Sequence, residues 1–140
     1  MSRVFADACY WIALINRDDE LRAAALAAQQ KAAHATVFTT DEVLGEVLNY
    51  FSKWGPSWRK QAVQIIEGIR GDRRVVVDEQ SRATFDGGFV LFKSRGDKHY
   101  SLVDCVSFLA MTRHGITVAL TNDHHFEQEG LSAKLRAVES

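Results

Sequence analysis

Short apolar runs alternate along the chain with longer segments whose apolar residues recur at helical spacing. The short runs are rich in β-branched and aromatic residues and predict buried strands at residues 4–6, 36–38, 74–77 and 116–120. The longer segments predict helices at residues 8–16, 19–34, 40–53, 57–69, 79–94 and 101–114, with a helical turn from residue 123. Strands that alternate with helices favour an α/β fold with a parallel sheet covered on both faces.

Composition places the chain among ordinary globular proteins. Hydrophobic residues make up 46% of the 140 residues, and a single proline and nine glycines leave no linker, so residues 1–140 are expected to form one domain. No apolar stretch approaches the ~20 residues of a membrane helix. Asp7 lies where a signal peptide would be apolar. With only two cysteines, the expected compartment is the reducing cytoplasm, with no membrane partner.

A net charge of -1 excludes a globally basic surface that would coat nucleic acid. Any nucleic-acid contacts must therefore be local. Two basic clusters are candidates for phosphate contacts, although a solvated face is their commoner role; they are Arg70, Arg73 and Arg74, and Lys93, Arg95 and Lys98. Trp54 and Trp58 flank a Gly-Pro step and are candidates for base stacking, a protein interface or core packing.

Four acids follow or adjoin the predicted strand ends. Asp7 comes directly after the first strand and Asp123 follows the fourth, while Glu46 and Asp104 lie in helices next to the same sheet edge. In parallel sheets, sites form at the carboxyl ends of the strands. The four carboxylates are therefore expected to converge.

Each acid also has a structural alternative. Asp7 and Asp123 could be N-caps of the turns that follow them. Thr39-x-x-Glu42 matches a capping box, which gives Glu42 a structural role, whereas Glu46 lies at the border of the apolar helix face and is preferred as the ligand. Ser101-x-x-Asp104 also matches a capping box, a role compatible with metal binding because a carboxylate has two oxygens.

Convergence of four carboxylates requires a counter-charge. Two unit charges ~4 Å apart repel by about 4 kcal/mol at an effective dielectric constant of 20. Mg²⁺ or Mn²⁺ suits carboxylate oxygens, and such an ion can activate water and stabilise charge on a phosphate. The pattern thus indicates phosphodiester hydrolysis.

Four segments resemble the sequence blocks of the PIN domain family, in the family's order and over nearly the whole chain. They read FADACYWIAL, TTDEVLGEVLN, DKHYSLVDCVSFLAM and LTNDHHFEQEGL. The third and fourth blocks resemble those of the VapC-type toxins of bacterial toxin–antitoxin pairs. The resemblance implies a three-layer α/β/α fold with a central parallel sheet of four or five short strands.

The same resemblance implies a metal-dependent ribonuclease. The family's acids fall on Asp7, Glu46, Asp104 and Asp123, which would bind Mg²⁺ or Mn²⁺, and its hydroxyl residue before the last acid falls on Thr121. An RNA substrate, a homodimer and a cognate antitoxin are implied as partners.

The chain departs from the family pattern at three positions that often carry oxygen ligands. Ala8 and Cys9 follow the first acid where a hydroxyl is common, and His125 replaces a further acid, so the binding of a second metal ion is in question. The roles of Cys9, Cys105, His124 and His125 stay open, and zinc is disfavoured because CxxC and HxxxH spacings are absent.

Other functional classes fit less well. Asp7 to Tyr10 is not the glycine-rich turn of a dinucleotide-binding enzyme, and Cys9 stands where a haloacid-dehalogenase-like phosphatase has a second aspartate. A catalytically silent member of the same fold, acting as an RNA-binding or protein-interaction module, remains the alternative.

Overall fold

Helices and strands alternate as the apolar pattern predicts. A computed structural model describes residues 2–136. In chain order its elements are β1 (Arg3–Ala6), α1 (Ala8–Ile15), α2 (Arg22–Lys31), β2 (Thr36–Thr40), α3 (Asp41–Phe51), α4 (Pro56–Gly71), β3 (Val75–Asp78), α5 (Arg82–Ser94), α6 (Leu102–Arg113), β4 (Val118–Leu120), α7 (His124–Gln128) and β5 (Ser132–Ala133).

The strands form a single five-stranded sheet in the order β3-β2-β1-β4-β5, with every neighbouring pair parallel. The two-residue β5 is too short to leave a periodic signal, so the four strands read from the sequence are confirmed and one is added. Because β1 lies in the middle, its buried residues Val4, Phe5 and Ala6 form the centre of the core.

Helices cover both faces of the sheet. α1 to α4 form one contacting group and α5 to α7 a second, as expected for right-handed crossovers that run from β1 towards β3 and then return to β4. α3 and α6 also contact each other, and these helices carry Glu46 and Asp104. The three-layer α/β/α prediction is confirmed.

Two glycines set the distance between α5 and α6. A Cβ added at Gly88 would lie 2.7 Å from Val106 Cγ2, and one at Gly87 would lie 3.2 Å from Leu109 Cδ1. Larger residues would push α5 away from α6, so this pair of helices depends on the missing side chains.

Helix starts follow local hydrogen bonding more closely than propensity. α2 begins at Arg22 rather than near residue 19, because Asp19 Oδ1 accepts a hydrogen bond from the Leu21 N–H in a turn that precedes the helix.

None of the helices within residues 2–136 combines the length and apolar character that crossing a bilayer would require.

Candidate metal site

A cleft of about 550 Å³ lies at the carboxyl edge of the sheet. All four predicted acids contribute to its wall, namely Asp7, Glu46, Asp104 and Asp123. They come from the end of β1, from α3, from the first turn of α6 and from the residues between β4 and α7. The expectation that these acids converge is met by the fold.

Asp7 is fixed where β1 meets β4. Its N–H donates to Leu120 O at 3.3 Å, and its Oδ2 accepts from the Thr121 hydroxyl at 2.8 Å. Asp7 occupies the N-cap position of α1, as the alternative reading expected, but its side chain makes no capping hydrogen bond to the helix. Its carboxylate is therefore held at the sheet edge, 8% exposed, by the hydroxyl that follows β4.

Asp104 combines capping with a place in the cleft. The Ser101 N–H donates to Asp104 Oδ2 at 3.0 Å, and the Asp104 N–H donates to Ser101 Oγ at 3.0 Å, which confirms the predicted capping box. All its hydrogen bonds with residues 2–136 use Oδ2. Oδ1 of Asp104 accepts no hydrogen bond from these residues.

Asp123, like Asp104, uses only one of its two carboxylate oxygens in hydrogen bonds with residues 2–136. It is the N-cap of α7, as predicted, with Oδ1 accepting from the His125 N–H at 2.9 Å. The Asp123 N–H donates to Thr121 Oγ1 at 3.1 Å, so a single hydroxyl ties this acid to Asp7. Among residues 2–136, only Oδ1 of Asp123 is engaged.

Glu46, the predicted ligand, and Glu42 occupy different environments. Glu46 lines the cleft, whereas Glu42 Oε2 accepts from Thr84 Oγ1 at 3.4 Å. The predicted capping box at Thr39 is wrong, because β2 extends to Thr40 and it is the Thr40 hydroxyl that accepts from the Val43 N–H.

Thr39 has a different role from capping. Its hydroxyl donates to Ala6 O at 2.9 Å and accepts from Trp11 Nε1 at 3.4 Å. It is fully buried and ties β2 to the end of β1, directly before Asp7. A capping signature read from sequence could not distinguish this strand contact from a helix start.

His125 stands between two of the acids. Its Nδ1 lies 3.0 Å from Asp104 Oδ2 and 3.2 Å from Asp123 Oδ1. The ring packs edge-on against Tyr100 with centroids 5.4 Å apart. The sequence left the role of His125 open, and only its position relative to the last acid could have drawn attention to it.

The electrostatics of the cleft show unbalanced negative charge. Burial, followed by the repulsion of Asp104 and Asp123, raises the pKa of Asp7 to about 6, against the lowering effect of the Thr121 hydrogen bond. Burial and then the other three acids raise the pKa of Glu46 to about 7. No Lys or Arg within residues 2–136 lines the cleft. A cation would relieve this repulsion.

The donor set suits a hard divalent cation that keeps part of its water shell. In residues 2–136 the ligand atoms of Asp123, His124 and His125 lie within 4.8 Å of one another, whereas no three of the four acids meet that limit. Mg²⁺ binds oxygens at about 2.1 Å and retains several waters, so direct contact with some acids and water-mediated contact with others fits this spacing.

The two cysteines differ in their surroundings. Cys9 lines the cleft, where its Sγ accepts from the Asn122 N–H at 3.3 Å, and burial followed by the charge of Asp7 raises its pKa to about 11. Cys105 is fully buried in α6, and both thiols are free. A thiol held protonated in this way is a poor nucleophile and a poor metal ligand.

The basic clusters and the two tryptophans do not line the cleft. Arg95 pairs with Glu129 at 2.7 Å, Lys98 with Asp97 at 3.1 Å and Arg74 with Asp72 at 3.6 Å. Trp54 and Trp58 pack with Phe51, and the Phe51 and Trp58 rings stack 5.6 Å apart. Tyr50, His99 and Asn122 also line the cleft, and no sequence pattern points to a site role for them.

Comparison with known proteins agrees with this architecture. The model of the PIN domain matches residues 4–129. The crystal structure of VapC20 from Mycobacterium tuberculosis, a toxin that cleaves the sarcin-ricin loop, matches with a TM-score of 0.79 and 26% identity, over 91% of this chain and 95% of that one. No curated protein matches by sequence. The chain therefore belongs to the PIN domain family, as a VapC-type member.

Proposed function

We propose that this protein is a Mg²⁺- or Mn²⁺-dependent endoribonuclease, the toxin of a type II toxin–antitoxin pair. One observation carries the proposal: four carboxylates from four elements line a single cleft to which no Lys or Arg within residues 2–136 contributes. Such a cleft attracts a divalent ion, which in turn attracts a phosphate.

The residues divide into direct and supporting roles. Asp7 and Asp104 are the proposed main metal ligands, because both are held rigidly by hydrogen bonds that use Oδ2. Glu46 and Asp123 complete the shell and orient water. When bound, the ion supplies water activation and neutralises charge on the phosphate. Tyr50, 44% exposed at the cleft wall, offers a ring on which a base can stack.

The proposed substrate is structured RNA, either transfer or ribosomal RNA. The similarity to VapC20, which cleaves the sarcin-ricin loop, supports this class of substrate. The wide cleft is compatible with a nucleotide that projects from a loop, and its acids exclude a free phosphate backbone unless a cation is present.

Protein partners are part of the proposal. The outer face of α5 exposes Phe85, Phe89, Val90 and Phe92, and exposed apolar surfaces of this kind mark protein contacts. This supports a homodimer and an antitoxin complex. The free thiols support a reducing, cytoplasmic location.

The proposal is tested by mapping cut sites across total cellular RNA. Wild type in Mg²⁺ should give discrete cuts, and Asp104→Asn should give none, since an amide oxygen preserves the cap on Ser101 N–H but not the charge. Asp86→Asn, which removes an exposed acid from α5, is the matched control and should cut as wild type does. A wild type that binds RNA without cutting it, in either metal, would support the silent-module alternative.

A further inference from the structure

We propose that His125 clamps Asp104 to Asp123 and so restricts the cleft to a single divalent ion. The inference rests on the proposed function, in that it takes the cleft to bind such an ion.

The clamp is made by one imidazole N–H and one backbone N–H. His125 Nδ1 lies 3.0 Å from Asp104 Oδ2 and 3.2 Å from Asp123 Oδ1, and the His125 backbone N–H donates to the same Asp123 oxygen at 2.9 Å. Carboxylates only accept hydrogen bonds when ionised, so Nδ1 must carry the proton and donate. Helix α6 is thereby joined to the residues that follow β4.

Neighbouring side chains hold the His125 imidazole in place. Tyr100 packs edge-on against it, and the Tyr100 hydroxyl donates to Glu129 Oε1 at 3.2 Å. Glu129 is fixed in turn by Arg95, whose Nε and Nη2 donate to its two oxygens at 2.7 and 3.3 Å. With 17% of its side chain exposed, His125 has little freedom to leave the two acids.

These hydrogen bonds occupy the carboxylate oxygens that an ion bridging Asp104 and Asp123 would need. Asp104 Oδ2 already accepts from the Ser101 N–H as well as from Nδ1, and Asp123 Oδ1 accepts from the His125 backbone N–H and lies 3.2 Å from Nδ1. A cation placed between these oxygens would meet the Nδ1–H instead of a lone pair. The other oxygens of Asp104 and Asp123, with Asp7 and Glu46, remain as donors for one ion.

Two substitutions at His125 distinguish the effect of the Nδ1–H donor from the effect of side-chain shape. The amide nitrogen of His125→Asn can occupy the position of Nδ1 and donate to both acids. His125→Asp has the same shape as His125→Asn but replaces the donor with a carboxylate oxygen, and so creates the ligand that a second ion lacks. His34→Asp adds the same charge at an exposed position that does not line the cleft, leaves the clamp intact and serves as the control.

The test is a titration of the purified protein with Mn²⁺, in which electron paramagnetic resonance counts free and bound ions. Wild type, His125→Asn and His34→Asp should each bind one ion per chain, and His125→Asp should bind two, with the spectrum of a coupled pair. Two ions of similar affinity in wild type would overturn the inference, even if His125→Asp failed to fold. So would a single ion in a folded His125→Asp protein. No bound Mn²⁺ in wild type would overturn the metal-dependent function itself.

Discussion

The clearest consequence of the acid cluster is that removing one acid should stabilise the metal-free protein. Asp7 is the most buried of the four, and its neutral isostere is obtained with Asp7→Asn. The amide oxygen can still accept the hydrogen bond that Thr121 gives to Asp7 Oδ2 at 2.8 Å. The substitution therefore removes charge while leaving the packing of the sheet edge nearly unchanged.

The expected gain in the free energy of unfolding follows from the pKa of Asp7. Burial, with the repulsion of the neighbouring acids, raises this pKa from 3.8 to about 6. At 1.36 kcal/mol per pKa unit, ionising Asp7 costs the native state about 3 kcal/mol more than the unfolded state. Some of this gain is lost with the weaker hydrogen bond from Thr121, so Asp7→Asn should be more stable by roughly 1–3 kcal/mol, or roughly 3–10 °C in Tm.

The stability advantage of Asp7→Asn should disappear at low pH and should reverse when metal is bound. Because the folded-state pKa lies above the unfolded-state value, the native protein binds more protons between about pH 4 and 6, and wild-type stability falls as pH rises through that window. The advantage of Asp7→Asn should be complete above pH 6 and absent below pH 4. Saturating Mn²⁺ should stabilise wild type by about 2.7 kcal/mol at 100 times its Kd, and the variant much less.

Urea unfolding followed by circular dichroism measures these differences, at pH 5 and pH 8, in EDTA and in Mn²⁺. Asp18→Asn, at an exposed acid outside the cleft, is the matched control and should change stability little in any condition. The reasoning fails if Asp7→Asn is no more stable than wild type in EDTA at pH 8, or if Asp18→Asn gains as much.

Two further predictions concern the packing of α5 against α6 and Glu46, the second acid whose pKa is raised. Gly88→Ala should lower the free energy of unfolding by about 1–3 kcal/mol, because its Cβ would lie 2.7 Å from Val106 Cγ2. Gly68→Ala, with no atom within 4 Å of its Cβ, should raise it by about 0.5–1 kcal/mol in the same urea assay; equal effects would contradict the close approach of α5 and α6. The pKa of Glu46, about 7, means that Mn²⁺ must displace a proton from Glu46 below that pH, so calorimetric affinity should weaken several-fold from pH 8 to pH 6. Glu46→Gln should bind more weakly but with a flatter pH profile, and an unchanged slope would assign the proton to another group.

The sequence by itself determined the order and type of the elements. Strands such as β1 and β2 are apolar because they are buried in the sheet, and α3 shows its buried face as a helical repeat, so local pattern and tertiary environment agree. The same agreement predicted the Ser101–Asp104 capping box and the N-cap at Asp123, which are contacts between residues close in sequence.

Contacts between distant residues were decided only by the tertiary structure. Thr39 has the sequence context of a cap, yet it bonds to Ala6 O because the β1–β2 register brings them together. The clamp of His125 on Asp104, and the burial that shifts the pKa of Asp7, likewise depend on separate elements meeting at one sheet edge. A periodic pattern records which face of an element is buried, but hydrogen-bond geometry and dielectric environment exist only after the elements have packed.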